Sequence, residues 1–278
     1  MLKSPGHARP TEASLDSARD LDRLSVEEVL ALIHQQDGAA HAAVGRCLPA
    51  MTEAVDVLVA ALAGGGRWFN VGAGTSGRLG VLDASEIPPT YGMNPKVVQA
   101  LMAGGDCALR IAVEGAEDDR EAAGFELQER GLGLGDVVVA LSASGGTPFV
   151  LGAIEVAHRV GARTVGITCD PGSELAAAVE IAIVAEVGPE VVTGSTRMKG
   201  GLAQKMVLAA LSTTVMVKLG KVRGSLMSHL APVSDKLRGR ATRIVMALAD
   251  VDRDRAASLL QETGGCVESA LDRARRSD

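Results

Sequence analysis

Aromatic side chains are scarce in this chain of 278 residues: one Trp, one Tyr and three Phe, 2% of the total. The net charge is −6. With so few rings and no cationic surplus, the chain offers neither stacking platforms nor a basic face, and a nucleic-acid partner is not expected. Cysteine is also sparse. Cys47, Cys107, Cys169 and Cys266 are scattered without a Cys-x-x-Cys, and the five histidines show no His-x-x-x-His spacing. Neither a disulfide framework nor a metal site is expected. The first twenty residues lack the apolar stretch of a secretory leader, and no apolar run reads as long enough to cross a bilayer. These absences point to a cytoplasmic protein with no membrane partner.

What is present is material for a core. Hydrophobic residues make up 47% and charged residues 22%, a balance that folds without wholesale disorder. Residues up to about Pro10 read as a loose end. Ser25 and Glu28 are spaced as a capping box ahead of Val29, Leu32 and Ile33, which share one helical face. A second helix is expected over roughly 40–63, stopped by Gly64-Gly65-Gly66. Then short apolar runs alternate with helical stretches. RWFNVG, KVVQALMA, DVVVALSAS, RTVGITCD and EIAIVAEV read as five strands. Helices are expected after the first strand (ended by Pro88-Pro89), over 106–115, over 118–131, from Thr147-Pro148, from Ser173, and over about 198–219. In the fourth of these Thr147 stands at the N-cap and Pro148 at the first helical position. This alternation predicts an α/β fold with a doubly wound parallel five-stranded sheet. Helical extensions flank this sheet domain of 54–219: 1–53 before it, and a charged helical tail over 220–278.

The first turn after a strand reads GAGTSGRLG, Gly72 to Gly80. Its Gly-x-Gly-x-x-Gly suits either a dinucleotide or a simple phosphate, since both need close backbone approach at a helix N-terminus. A dinucleotide site wants an acidic residue about 20 positions on, to hold a ribose. NPKVVQALMA, at 94–103, contains none. The third strand ends in a second hydroxyl-rich turn, with Ser142, Ser144 and Thr147. Two such turns can surround one phosphate, with Gly74, Thr75 and Ser76 supplied by the first. No dinucleotide, and no other cofactor, is expected. Thr75, Ser76 and Thr147 also have a plain reading as helix caps. A third anion signal is TGSTRMKGG at 193–201, where Ser195, Arg197 and Lys199 precede or open a helix. Cations there oppose the macrodipole unless an anion sits nearby.

These are marks of the sugar isomerase (SIS) domain. GAGTSGRLGVLDASEIPPTYG, AVEGAEDD and EVVTGSTRMKGG resemble the N-acetylmuramic acid 6-phosphate etherase family, most closely over 64–222. The resemblance implies cleavage of a D-lactyl ether on a sugar 6-phosphate during cell-wall recycling, by a homodimer with active sites near its interface. It also implies a catalytic pair at Glu86 and Glu117, with Glu86 assigned as the acid that assists lactate departure and Glu117 as the C2 base. The opposite division is an alternative. For Glu117 the plain reading is an acidic helix N-terminus, for Glu86 a solvated acid at a helix end. The chain departs from the family pattern where Gly146 replaces an arginine, Leu15 an asparagine and Ser234 an asparagine. Two other activities compete: a non-catalytic sugar-phosphate sensor like the glucokinase regulatory protein, and an aldose–ketose isomerase.

Overall fold

A computed structural model describes residues 9–230, 232 and 234–276. The loose end read at the N-terminus lies, except for Arg9 and Pro10, outside the described residues. Short 3-10 turns lead into α1 (Val26–Arg46). Its capping box is formed: Ser25 Oγ accepts from Glu28 N at 3.3 Å and Glu28 Oε2 from Ser25 N at 2.7 Å. The expected break before residue 40 is absent. Gly38 lies within α1, where the burial of Leu32, Ala40 and Ala43 outweighs the ~1 kcal/mol a helical glycine costs. The turn comes instead at Cys47, and α2 (Leu48–Ala63) carries Pro49 in its first turn, where no N–H is needed. The boundary at 53/54 falls inside α2.

Five parallel strands follow: β1 (Trp68–Gly72), β2 (Val98–Met102), β3 (Val137–Leu141), β4 (Arg163–Thr168) and β5 (Ile181–Val184), in the order β2-β1-β3-β4-β5. β1 and β3 are fully buried, as covering on both faces requires. Alternate residues feed two cores. Val137, Val139 and Leu141 join Leu58, Ile87, Leu208 and Leu211 on one face. Val138 and Ala140 join Leu127, Val150 and Ile154 on the other. The first face is covered by α1, α2, α3 (Gly74–Tyr91) and α7 (Lys199–Lys218). The second is covered by α4 (Ala122–Glu129), α5 (Pro148–Val160) and α6 (Glu174–Ala178). The tail forms α8 (Asp235–Ala249), α9 (Arg253–Glu262) and α10 (Val267–Arg275), which close on a separate core around Val245, Leu259 and Leu271.

Three expectations need correcting. α3 runs through Pro88 and Pro89 to a left-handed cap at Gly92. Proline's φ is already helical, and buried Ile87 and Tyr91 anchor the last turn on the core. The stretch 106–115 is not a helix beyond a 3-10 turn at Asp106–Leu109. Arg78 donates to the carbonyls of Ala108 (2.7 Å) and Leu109 (3.2 Å), occupying acceptors a helix would use. Finally, α7 is long and apolar enough to cross a membrane by length and composition. Ala203, Val207, Leu208, Leu211, Val215 and Met216 are fully buried in it, the pattern of an inner helix.

Candidate active site

The strand order reverses between β1 and β3, and ligands of open parallel sheets bind beyond the strand ends at such a reversal. The two hydroxyl-rich turns leave the sheet there. In the first, Gly72 and Gly77 bring strand and helix into direct backbone contact. A β-carbon on Gly77 would lie 2.6 Å from Gly72 O, and one on Gly72 2.7 Å from Gly77 N. Gly74 opens α3 at φ +53°, a left-handed conformation that favours glycine. Ala73, not a hydroxyl residue, is the N-cap of α3, so neither Thr75 nor Ser76 caps it. Ser76 is buried, and its Oγ donates to Gln204 Oε1 of α7 at 2.8 Å. Thr75 stays half-buried at the edge of the turn.

In the second turn the hydroxyls gather. Ser142 Oγ lies 2.8 Å from Thr147 Oγ1 and 3.5 Å from Ser144 Oγ, and accepts from Gly145 N at 3.0 Å. Thr147 is the N-cap residue of α5 by position, with Pro148 following as expected. Its hydroxyl makes no capping bond, because it faces Ser142 instead.

The third segment meets both turns. A β-carbon on Gly200 would sit 3.3 Å from Ala143 Cβ, and one on Gly201 3.2 Å from Thr75 Cγ2. Thus the start of α7 is packed tightly against both phosphate-type turns, with little room for a side chain at either glycine. One anion at this helix start is the protein's own. The buried carboxylate of Glu190 accepts from Lys199 N (3.1 Å) and Gly200 N (2.9 Å). Lys199 is itself buried, and its ammonium donates to Gln36 Oε1 of α1 at 2.6 Å. Burial lowers its pKa, against the opposing pull of Glu190 and Asp37. Arg197 is exposed and Ser195 half-buried on the preceding loop.

The two glutamates line different cavities. Glu117 sits on a 3-10 turn, Ala116–Asp118, packed against α5. It lines a cavity with Ala73, Gly74, Arg78 and Glu114, directly beside the first turn. It does not open a helix: Asp119 Oδ1 accepts from Glu121 N and Ala122 N, and α4 starts at Ala122. Glu86 is on α3, twelve residues beyond Gly74, or about 18 Å along the axis at 1.5 Å per residue. It lies within the helix rather than at its end. Its cavity is lined by Asp83, Tyr91, Lys205 and Ser212, between α3 and α7. Both glutamates are exposed in the single chain.

Asp83 was not anticipated. It is buried one turn before Glu86, with Oδ1 accepting from Ser212 Oγ at 2.9 Å and Oδ2 unpartnered among the described residues. Burial raises its pKa from 3.8 to about 6, against the lowering effects of Ser212 and Lys205. Its spacing from Glu86 was readable, but its burial depends on α7, which is distant in sequence.

Comparison with known proteins decides among the phosphosugar families. The chain is 45% identical to N-acetylmuramic acid 6-phosphate etherase of Escherichia coli (strain SMS-3-5 / SECEC), covering 95% of this chain and 97% of that one. It is 49% identical to the etherase of Symbiobacterium thermophilum, covering 94% and 87%. The chain belongs to the N-acetylmuramic acid 6-phosphate etherase family. Residues 50–158 of this family member match the glucokinase regulatory protein N-terminal SIS domain, and 130–214 match the SIS domain. Its fold is shared with a phosphoheptose isomerase from Francisella tularensis (TM-score 0.55, 18% identity, 70% of this chain and 99% of that one). It is shared too with a phosphoheptose isomerase from Neisseria gonorrhoeae (TM-score 0.51, 20% identity, 68% and 97%).

Proposed function

We propose that the protein is an N-acetylmuramic acid 6-phosphate etherase, cleaving the D-lactyl ether to give N-acetylglucosamine 6-phosphate and D-lactate. The observation that carries this reading is near-full-length identity of 44–49% to etherases, with the two turns and both glutamates in place. A sugar 6-phosphate is held by backbone N–H groups at Gly74 and Ser76 and by the hydroxyls of Thr75, Ser142, Ser144 and Thr147. Ser195 and Arg197 complete the third side. Lys199 ties the base of that loop to α1 through Gln36. The proposed division of the chain remains an N-terminal helical extension, a SIS domain and a helical tail.

An alkoxide is a poor leaving group, so direct hydrolysis is slow. In the open-chain sugar the C1 aldehyde acidifies the C2 proton. Glu117 takes that proton, the C3–O bond breaks as Glu86 protonates the departing oxygen, and lactate leaves. Water then adds across the C2–C3 double bond, its oxygen at C3 and a proton at C2. One water is consumed and no redox change occurs. Each proton transfer contributes about 10²–10⁴-fold.

Base and acid must reach adjacent carbons of one sugar, within hydrogen-bond distance of the atoms they serve. In one chain they line separate cavities, Glu117 beside the first turn and Glu86 between α3 and α7. The reading therefore pairs Glu117 of one copy with Glu86 of a second in a cytoplasmic homodimer. A two-fold axis makes two such composite sites.

The test is D-lactate release from N-acetylmuramic acid 6-phosphate in deuterated water. The reading expects lactate and deuterium at C2 of the product. A folded protein that binds the sugar phosphate without turnover points to the sensor alternative, which the match to the regulatory-protein domain keeps specific. Interconversion of aldose and ketose phosphates without lactate points to an isomerase.

A further inference from the structure

The second turn contains Gly146 where the family resemblance leads one to expect an arginine. The space beside it is occupied. A β-carbon on Gly146 would lie 3.0 Å from Arg9 Nη2, 3.5 Å from its Cζ and 3.7 Å from Nη1. The guanidinium of Arg9 thus rests on the backbone of the turn that carries Ser142, Ser144 and Thr147. No carboxylate is paired with it among the described residues.

The segment behind Arg9 is docked, not merely adjacent. Thr11 is 2% exposed, and its Oγ1 has no hydrogen-bond partner among the described residues. Glu12 reaches the third loop, with Oε2 3.1 Å from where a β-carbon on Gly194 would lie. Arg9 O accepts from Glu12 N at 3.0 Å, closing a 3-10 turn that fixes the spacing between them. Residues 9–12 therefore strap the second loop to the third, with a cation at one end and a carboxylate at the other.

We propose that Arg9 is a phosphate-binding residue, supplying from the N-terminal strap the cation that position 146 lacks. A guanidinium beside three hydroxyls offers forked N–H donors that match phosphate oxygens, which a glycine at 146 cannot. This rests on the sugar-phosphate reading above. The missing side chain at 146 and the arginine at 9 are then one arrangement: the turn gives up its own cation and leaves room for another.

The substrate carries a second anion, the lactyl carboxylate, so the test must separate the two. Binding of N-acetylglucosamine 6-phosphate, N-acetylglucosamine and D-lactate is measured by calorimetry for wild type, Arg9→Ala, Arg9→Lys and the Arg9→Ala/Gly146→Arg double variant. Arg9→Ala is expected to weaken the 6-phosphate about 10- to 100-fold. The unphosphorylated sugar should be unaffected, Arg9→Lys should lose less, and the double variant should recover affinity. Turnover by Arg9→Ala should show a raised KM with kcat little changed. Unchanged 6-phosphate affinity in Arg9→Ala overturns the proposal, including the case where only KM for the lactyl-bearing substrate rises, which would assign Arg9 to the carboxylate. Wild type that binds the 6-phosphate but releases no lactate would sink the etherase reading and leave the Arg9 comparison intact.

Discussion

Replacing Asp83 by Asn should change how stability depends on pH, and the structure sets the size. Asp83 is 5% exposed, and its pKa rises from 3.8 to about 6 chiefly through burial. In the unfolded chain the carboxyl ionises near its ordinary value. Between about pH 4 and pH 6 the folded protein thus holds a proton that the unfolded chain has released. Raising pH through that window favours unfolding. The contribution is complete below the unfolded pKa and lost above the folded one. That gap corresponds to ~3 kcal/mol between the two ends. Asn has no proton to lose, and its side-chain oxygen still accepts from Ser212 Oγ. Urea unfolding at fixed protein concentration, from pH 4 to 8, is the assay. The stability of Asp83→Asn relative to wild type should climb by ~3 kcal/mol between pH 4 and 6.5 and then level off. Parallel profiles across the whole range would contradict this, since they would mean that Asp83 ionises as easily inside the fold as outside it.

Four other outcomes follow from the site. Gly77→Ala should lose about 3 kcal/mol or more, since the new carbon meets Gly72 O at 2.6 Å and neither backbone can yield; a urea midpoint near wild type would contradict this. Glu190→Ala should cost about 3 kcal/mol by orphaning two buried N–H groups at the start of α7, while Glu190→Gln, keeping one acceptor oxygen, should cost less; equal losses would show that charge alone matters. Ser76→Ala should cost about 1–3 kcal/mol in stability by leaving Gln204 Oε1 unpaired. Ser144→Ala should instead raise KM for the sugar phosphate with little change in unfolding, and a reversal of that pair would misplace both hydroxyls.

The sheet was legible because each strand is a short apolar run bounded by glycine or charge, and a parallel sheet covered on both faces demands that pattern. The glycines at 72, 74 and 77 were legible for the same local reason, as was the capping box at Ser25 and Glu28. The helix ends were less so. Pro88 and Pro89 announce a stop, yet Ile87 and Tyr91 hold the last turn against the core. The 106–115 segment has helical spacing, but Arg78, thirty residues earlier, takes its carbonyls. Site chemistry was readable as residue types and hidden as partners. Lys199 was readable as a cation at a helix start, but its contact with Gln36, 163 residues away, was not. Glu190, which accepts from the first N–H groups of that helix, stood nine residues upstream without any local sign of the contact. Arg9 was invisible, because nothing local ties position 9 to position 146.

The separation of Glu86 and Glu117 within one chain makes the account's central claim directly measurable. Glu86→Ala and Glu117→Ala proteins, each inactive alone, are mixed under conditions that exchange subunits, and D-lactate release is followed. In a mixed dimer one composite site loses both glutamates and the other keeps both. Activity should return, to about a quarter of the wild-type rate after random exchange of equal amounts in a two-fold dimer. If exchange is demonstrated and no activity returns, both glutamates act from the same chain, and the composite site is wrong.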